Sequence, residues 1–288
     1  MQQPFYGFKE SIMYPGIDIF GIATLSTYSF SFLIGFALAI LIGMKLGKRY
    51  GIDGRDVLFA ATYGGIFLFI GAKVMFFISK LPVIIPNLSL FIRALKEDPA
   101  YVISYCFGGL VFYGGLIGFV FGIWLYCRQF KMSPYPYMEI IAPIIPFVHA
   151  FGRIGCFLGG CCYGIEYHGP FAVQFPYNEL IPELNEVPRF PVQLLEALLN
   201  FIVFFILLYL PKKFKLKTGQ LLGIYILYYT VARFFLEMLR GDVIRGNVGG
   251  VSTSQIVSII LLPIGIILVR GKWLERKFAR IKKETIKE

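Results

Sequence analysis

Charge is scarce in this chain. Of its 288 residues only 16% are charged, while 57% are hydrophobic. A soluble surface of that size needs about 25% charged residues, so water-soluble domains are excluded. Polar, low-complexity sequence is missing too, and a mean hydropathy of +0.70 rules out disorder. The five cysteines are an odd number and form no recognisable disulfide framework. Ahead of the first apolar run stand Lys9, Glu10 and Asp18 but no basic stretch, so no cleaved signal peptide is expected. Internal repeats are absent. What is present is a succession of long apolar runs. They describe an all-α polytopic membrane protein, a single integral-membrane domain over residues 1–288.

A spanning helix needs about 20 mostly apolar residues. Seven segments meet that need, at roughly 20–44, 57–79, 102–126, 137–160, 191–210, 219–239 and 254–270. Eighteen of the 28 lysines and arginines fall in one set of loops and the C-terminal tail, and seven in the opposite set. The positive-inside rule therefore places the N-terminus outside and the C-terminus, with a basic tail over 271–288, in the cytoplasm. The charge excess of +11 thus points to anionic lipid rather than nucleic acid. Two outer segments exceed simple turns. Residues 80–101 suit a surface-lying helix, and the acidic, proline-bearing residues 163–190 suit a small extracytoplasmic cap.

Three cations remain inside the spans: Lys73, Arg153 and Arg233. A charge at the bilayer centre costs about 2.5–3.5 kcal/mol on insertion scales, and such residues usually line a hydrated cavity. One shared electropositive cavity is the functional expectation. The bland alternative is snorkelling or simple ion pairing, and for Lys73, near the end of its span, the two readings balance. On a helix Tyr229, Arg233 and Glu237 share one face, so Glu237 can orient the guanidinium and leave donors free for an anion.

Arg153 lies in the most unusual stretch, His149 to Gly164, where five glycines follow within thirteen residues. Glycine at that density implies close backbone approach or a broken helix. Beside a buried arginine it makes a plausible phosphate cradle, because forked guanidinium donors match phosphate oxygens. His149, one turn before Arg153, suits either a hydrogen-bonded core role or proton transfer. Cys156, Cys161 and Cys162 lack the spacing of structural zinc sites, so no metal is expected and packing is the first reading. A disulfide at the oxidising outer face, or a thiol nucleophile activated by Arg153 one turn from Cys156, are the alternatives. Softer polar signals are Tyr28, Tyr113, Gln193, Glu196 and Gln255.

Together these segments resemble the bacterial prolipoprotein diacylglyceryl transferase family. Its signature R-x-G-N-F-x-N-G-E-x-x-G is matched by Arg153-x-Gly155-Cys156-Phe157-x-Gly159-Gly160-Cys161-x-x-Gly164. The resemblance extends to the segments around Tyr28, Tyr113–Gly118, Phe190–Glu196, Arg233-x-x-x-Glu237 and Ser254–Ile256. It implies an enzyme of the bacterial inner membrane that moves a diacylglyceryl group from phosphatidylglycerol to the lipobox cysteine thiol of a prolipoprotein. The product is a thioether, glycerol phosphate leaves, and no cofactor is implied. By the same resemblance Arg153 and Arg233 grip phosphate and Glu237 positions Arg233. Tyr28 and Tyr229 line the site, and Gly164 shapes the turn leaving the cradle.

Three departures stand out. The family's H-G-G-L histidine is Tyr113, and its signature asparagine and glutamate are Cys156 and Cys161. Tyrosine, with a reference pKa of about 10, is a poor base at neutral pH, and His149 is the obvious substitute. A related membrane transferase or lipid-binding paralogue, using the same cradle on a different acceptor, is the alternative. A transporter would suit the broken fourth span, but not the odd span count or the lack of an inverted repeat.

Overall fold

The computed structural model describes residues 17–19, 23–175, 187–241, 247–248 and 251–271. The basic tail from 272 on, the acidic stretch 176–186, and Lys9, Glu10 and Arg245 lie outside them. Nine α-helices run in order through the described residues: α1 Thr27–Gly47, α2 Gly54–Ile84, α3 Leu88–Glu97, α4 Pro99–Phe107, α5 Phe112–Gln129, α6 Tyr135–Leu158, α7 Val192–Lys213, α8 Gln220–Met238 and α9 Thr253–Arg270. Two short antiparallel pairs accompany them, β1 (Ile17–Ile19) with β2 (Ala23–Leu25) and β3 (Asn247–Val248) with β4 (Val251–Ser252).

Among the described residues five helical stretches are long and apolar enough to cross a membrane: Thr27–Tyr50, Gly54–Glu97, Tyr135–Leu158, Val192–Lys213 and Gln220–Met238; Ser254–Arg270 is a shorter apolar helix. Large apolar side chains stay exposed along them, such as Leu41, Phe69, Phe205 and Phe235. In water that exposure would be costly, whereas lipid accepts it. The protein is a polytopic all-α membrane protein.

The chain divides into two compact units, Gly43–Tyr137 and the remainder. In the smaller unit α2 and α5 meet along glycines. A Cβ on Gly118 would collide with the Phe67 carbonyl, and one on Gly122 with that of Tyr63. Small residues spaced by four let helix backbones approach closely where lipid supplies no hydrophobic drive. Asp53 caps α2 by accepting from the Arg55 amide at 3.0 Å.

The expected single span over 102–126 is interrupted. α4 ends at Phe107, and the chain bends through Gly108–Val111 before α5 begins. The freed polar groups are satisfied locally: Lys73 Nζ donates to the Phe107 carbonyl, and the Val111 amide donates to the Ala72 carbonyl at 3.2 Å. Lys73 therefore serves as a C-terminal cap of α4, a cation against the unpaired carbonyls of the helix end. Over 80–101, α2 continues to Ile84 and α3 follows, with Leu88, Leu90, Ile92 and Leu95 all exposed.

The larger unit holds α6, α7, α8 and α9 with the first part of α1. Ala142, Val203, Leu207, Leu221 and Tyr225 form one buried cluster, and Ala39, Phe147 and Phe204 another. Ser31 Oγ donates to the Phe151 carbonyl at 2.8 Å, tying α1 to α6.

Candidate active site

Four helices of the larger unit contribute to one polar site. Helix α6 carries His149, Arg153 and Cys156 at successive positions of one face. Helix α7 opens with Gln193, Glu196 and Asn200, which are only 1%, 2% and 1% exposed despite their polarity. Their spacing of three and four aligns them on a single stripe.

Glu196 is the hub. One carboxylate oxygen lies 2.9 Å from Arg153 Nε, and the other lies 3.3 Å from His149 Nε2. A single buried anion thus braces a guanidinium and an imidazole together. Its neighbours tie down the helix that carries it: Gln193 Nε2 donates to the Cys161 carbonyl at 2.9 Å, and Asn200 Nδ2 to the Glu196 carbonyl at 2.8 Å.

Helix α8 supplies the second cation. Arg233 is 3% exposed; its Nη2 lies 2.5 Å from Glu237 and donates to Ser254 Oγ at 2.9 Å. Ser254 is set in place by a capping box at the start of α9, where Ser252 and Gln255 exchange hydrogen bonds of 3.2 and 3.1 Å. Arg233 Nη1, by contrast, has no hydrogen-bond partner among the described residues. A buried unsatisfied donor costs about 1–3 kcal/mol, more when charged. It is therefore a donor suited to an incoming anion. Arg233 lies within electrostatic reach of both Glu196 and Arg153. The Tyr229 ring packs edge-on against His149, with centroids 5.4 Å apart.

Tyr28, at the start of α1, lies against Gly155. A Cβ there would come within 3.0 Å of the Tyr28 carbonyl oxygen, so glycine is what allows α1 this close to Arg153. Gly164 sits where three strands of chain cross. The Ile165 amide donates to Leu239, Phe190 donates to Ile165 and Gly241 donates to Tyr163, at 3.0, 3.0 and 3.1 Å. A side chain at Gly164 would strike the Phe190 carbonyl. Within the expected cap, Arg189 lies over the Tyr163 ring at 4.9 Å. Tyr113 belongs to the other compact unit, near the start of α5, and is 43% exposed.

The three cysteines end α6 in a defined way. The Gly160 amide donates to Phe157 at 3.1 Å and the Cys161 amide to Cys156 at 3.0 Å, while Gly160 takes φ of 63°. That pattern is a Schellman motif, which folds the residue after the left-handed glycine back over the last turn. Cys161 is brought over Cys156, and Cys162, itself at φ of 61°, completes the group. All three sulfurs lie within 4.8 Å of one another. Arg153 Nη1 is 4.0 Å from the Cys156 sulfur. Hydrogen bonds from Cys156 and Cys161, helped by Arg240 and Arg153, push Cys162 below the ordinary thiol range. Hydrogen bonding to Cys156 and Cys162 pushes Cys161 above it.

Arg153, Arg233, His149, Tyr229, Glu237, Tyr28 and Gly164, the residues expected from the sequence, all lie in this unit, and Tyr113 does not. Glu196 joins them as a residue the sequence marks only as a soft polar signal. The signal was available, since a carboxylate within an apolar span is as costly as a cation there.

A model of the prolipoprotein diacylglyceryl transferase family matches residues 16–270. Phosphatidylglycerol–prolipoprotein diacylglyceryl transferase 2 of Clostridium perfringens is 34% identical over 257 residues, covering 87% of this chain and 92% of that one. The phosphatidylglycerol–prolipoprotein diacylglyceryl transferase of Clostridium tetani is 31% identical over 251 residues, with the same coverage of 87% and 92%. That of a Vibrio cholerae O1 strain is 30% identical over 286 residues, covering 93% and 98%. With the braced arginines, the glycine-rich helix end and the apolar helices in place, the chain belongs to the prolipoprotein diacylglyceryl transferase family.

Proposed function

We infer that this protein transfers a diacylglyceryl group from phosphatidylglycerol to the lipobox cysteine thiol of prolipoproteins, at the bacterial inner membrane with its N-terminus outside. The carrying observation is a pair of guanidiniums, Arg233 buried and Arg153 half-buried, each beside its own carboxylate, with Arg233 Nη1 lacking a hydrogen-bond partner among the described residues.

The chemistry follows from that pair. Phosphatidylglycerol presents one phosphodiester charge at the membrane surface. Arg153 and Arg233 grip its oxygens, and Glu196 and Glu237 hold both cations in place before lipid arrives. As the acceptor sulfur attacks the glyceryl carbon, the carbon–oxygen bond to phosphate breaks and glycerol phosphate leaves with a second negative charge. Preorganised donors at a developing charge are worth about 2.7–4 kcal/mol each. Arg233 Nη1 and the Arg153 fork are those donors. The acceptor thiol must also lose its proton. His149, oriented by Glu196 through Nε2, receives it, as an imidazole fixed by a carboxylate does in nucleophilic catalysis. Tyr28 and Tyr229 line the lipid side of the site.

Transfer is tested with phosphatidylglycerol labelled in its acyl chains and a lipobox peptide. The expected result is peptide-borne label, absent with a serine in place of the peptide's cysteine and absent with phosphatidylethanolamine of the same tails. Protein that binds phosphatidylglycerol yet transfers nothing to the peptide would overturn this reading.

A further inference from the structure

The family signature carries an asparagine and a glutamate where this chain has Cys156 and Cys161, and Cys162 follows directly. The Schellman turn then gathers all three sulfurs within 4.8 Å beside Arg153. None of the three is in a disulfide. Cys156 is buried, Cys162 half-buried and Cys161 exposed, so the group is anchored at one end and open at the other.

A covalent relay through one of these thiols is ruled out by its product. The diacylglyceryl group on an enzyme cysteine would be a thioether, too stable to pass to a second sulfur. Binding of a soft cation fits better. Zinc bonds to thiolate at about 2.3 Å, so sulfurs on a tetrahedral edge lie about 3.8 Å apart. The observed separations need contract by only about 1 Å or less to reach that edge. Three thiolates around a divalent cation leave one net negative charge. Arg153, whose Nη1 reaches Cys156, and Arg240, in electrostatic reach of Cys162, offset it. Catalytic zinc sites keep three protein ligands and an open fourth position.

We propose that Cys156, Cys161 and Cys162 hold a zinc ion whose open position takes the acceptor thiol of the incoming lipobox peptide. This rests on the transferase reading. A thiol that coordinates zinc gives up its proton outright, which passes to His149. The zinc-bound thiolate keeps a nucleophilic electron pair and forms the carbon–sulfur bond. The glyceryl carbon–oxygen bond breaks, and its electrons leave on the phosphate oxygen. The thioether product is neutral and a poor ligand, so it departs and frees the fourth position.

The test uses the full-length protein in detergent, stripped with chelator and titrated with cobalt(II). Stoichiometric appearance of a sulfur-to-cobalt charge-transfer band and a tetrahedral visible band is expected, both lost in Cys161→Ser and in Cys162→Ser. Adding lipobox peptide should shift the visible band, while the serine-for-cysteine peptide should not. Zinc should restore transfer to stripped enzyme by at least tenfold, with phosphatidylglycerol binding the same before and after. Absence of the cobalt bands, or a disulfide among these cysteines in the active enzyme, overturns the site. Full transfer by metal-free enzyme overturns the zinc and leaves the transferase reading standing. Cobalt bands and a peptide shift without any transfer by zinc-loaded enzyme would refute the activating role and the transferase reading together.

Discussion

Replacing Glu196 by glutamine tests whether one carboxylate organises the site. The substitution keeps the shape of the side chain and removes only its charge. Glu196 is 2% exposed and faces Arg153 at 2.9 Å and His149 at 3.3 Å. Breaking a buried ion pair by neutralising one partner costs about 3–5 kcal/mol, because the other charge is left uncompensated. The amide oxygen can still accept one hydrogen bond, so the lower end, about 3 kcal/mol, is expected for Glu196→Gln. Activity should fall further than stability suggests. Arg153 and His149 both lose their fixed position, and a misplacement of about 1 Å costs about 100-fold in rate. Thermal unfolding in detergent reads the first effect and transfer to a lipobox peptide the second. A double-mutant cycle with Arg153→Ala should show strong coupling, since the two side chains act as one unit. Unchanged unfolding together with turnover within about twofold of wild type would refute the hub role.

Other outcomes follow from the same geometry. Arg233→Lys should lose about 100-fold or more in turnover, because an ammonium cannot reach Glu237, Ser254 and a phosphate oxygen at once. Near-normal turnover would remove Arg233 from the cradle. His149→Ala should lower kcat by about 100-fold or more with little change in the apparent affinity for phosphatidylglycerol. Higher pH should recover part of that loss as hydroxide takes over proton removal, and an unchanged kcat would reject the role. Gly160→Val places a branched side chain at φ of 63°. Left-handed backbone costs about 1–2 kcal/mol for an ordinary residue, so the turn should open and cobalt(II) binding should fall. Intact binding would show that the Schellman turn does not gather the thiols.

Much of this was legible in the residues. Apolar runs of spanning length predict helices, and α1, α2, α6, α7, α8 and α9 lie where those runs lie. Charges inside such runs predict a site, because burial there must be compensated; Arg153 and Arg233 are both compensated by carboxylates. The interruption between α4 and α5 was hidden because Gly108–Val111 is as apolar as its surroundings and hydropathy does not register a lost helical hydrogen bond. The role of Glu196 is hidden for a different reason. It stands in an amphipathic-looking opening turn, and only the fold shows that this turn faces α6. The gathering of the three cysteine sulfurs is not visible in their spacing. Zinc knuckles place ligands two to four residues apart, whereas here Cys156 and Cys161 are the two ends of a helix-terminating turn. The glycine at 160 was the local sign of it.

Mass spectrometry of a lipobox peptide incubated with purified protein and phosphatidylglycerol addresses the central claim most directly. A diacylglyceryl adduct on the peptide cysteine, formed by the wild-type chain and absent with Arg153→Ala, is the result expected. An adduct that persists at full yield in Arg153→Ala, or none from wild-type protein that still binds the lipid, would contradict the account.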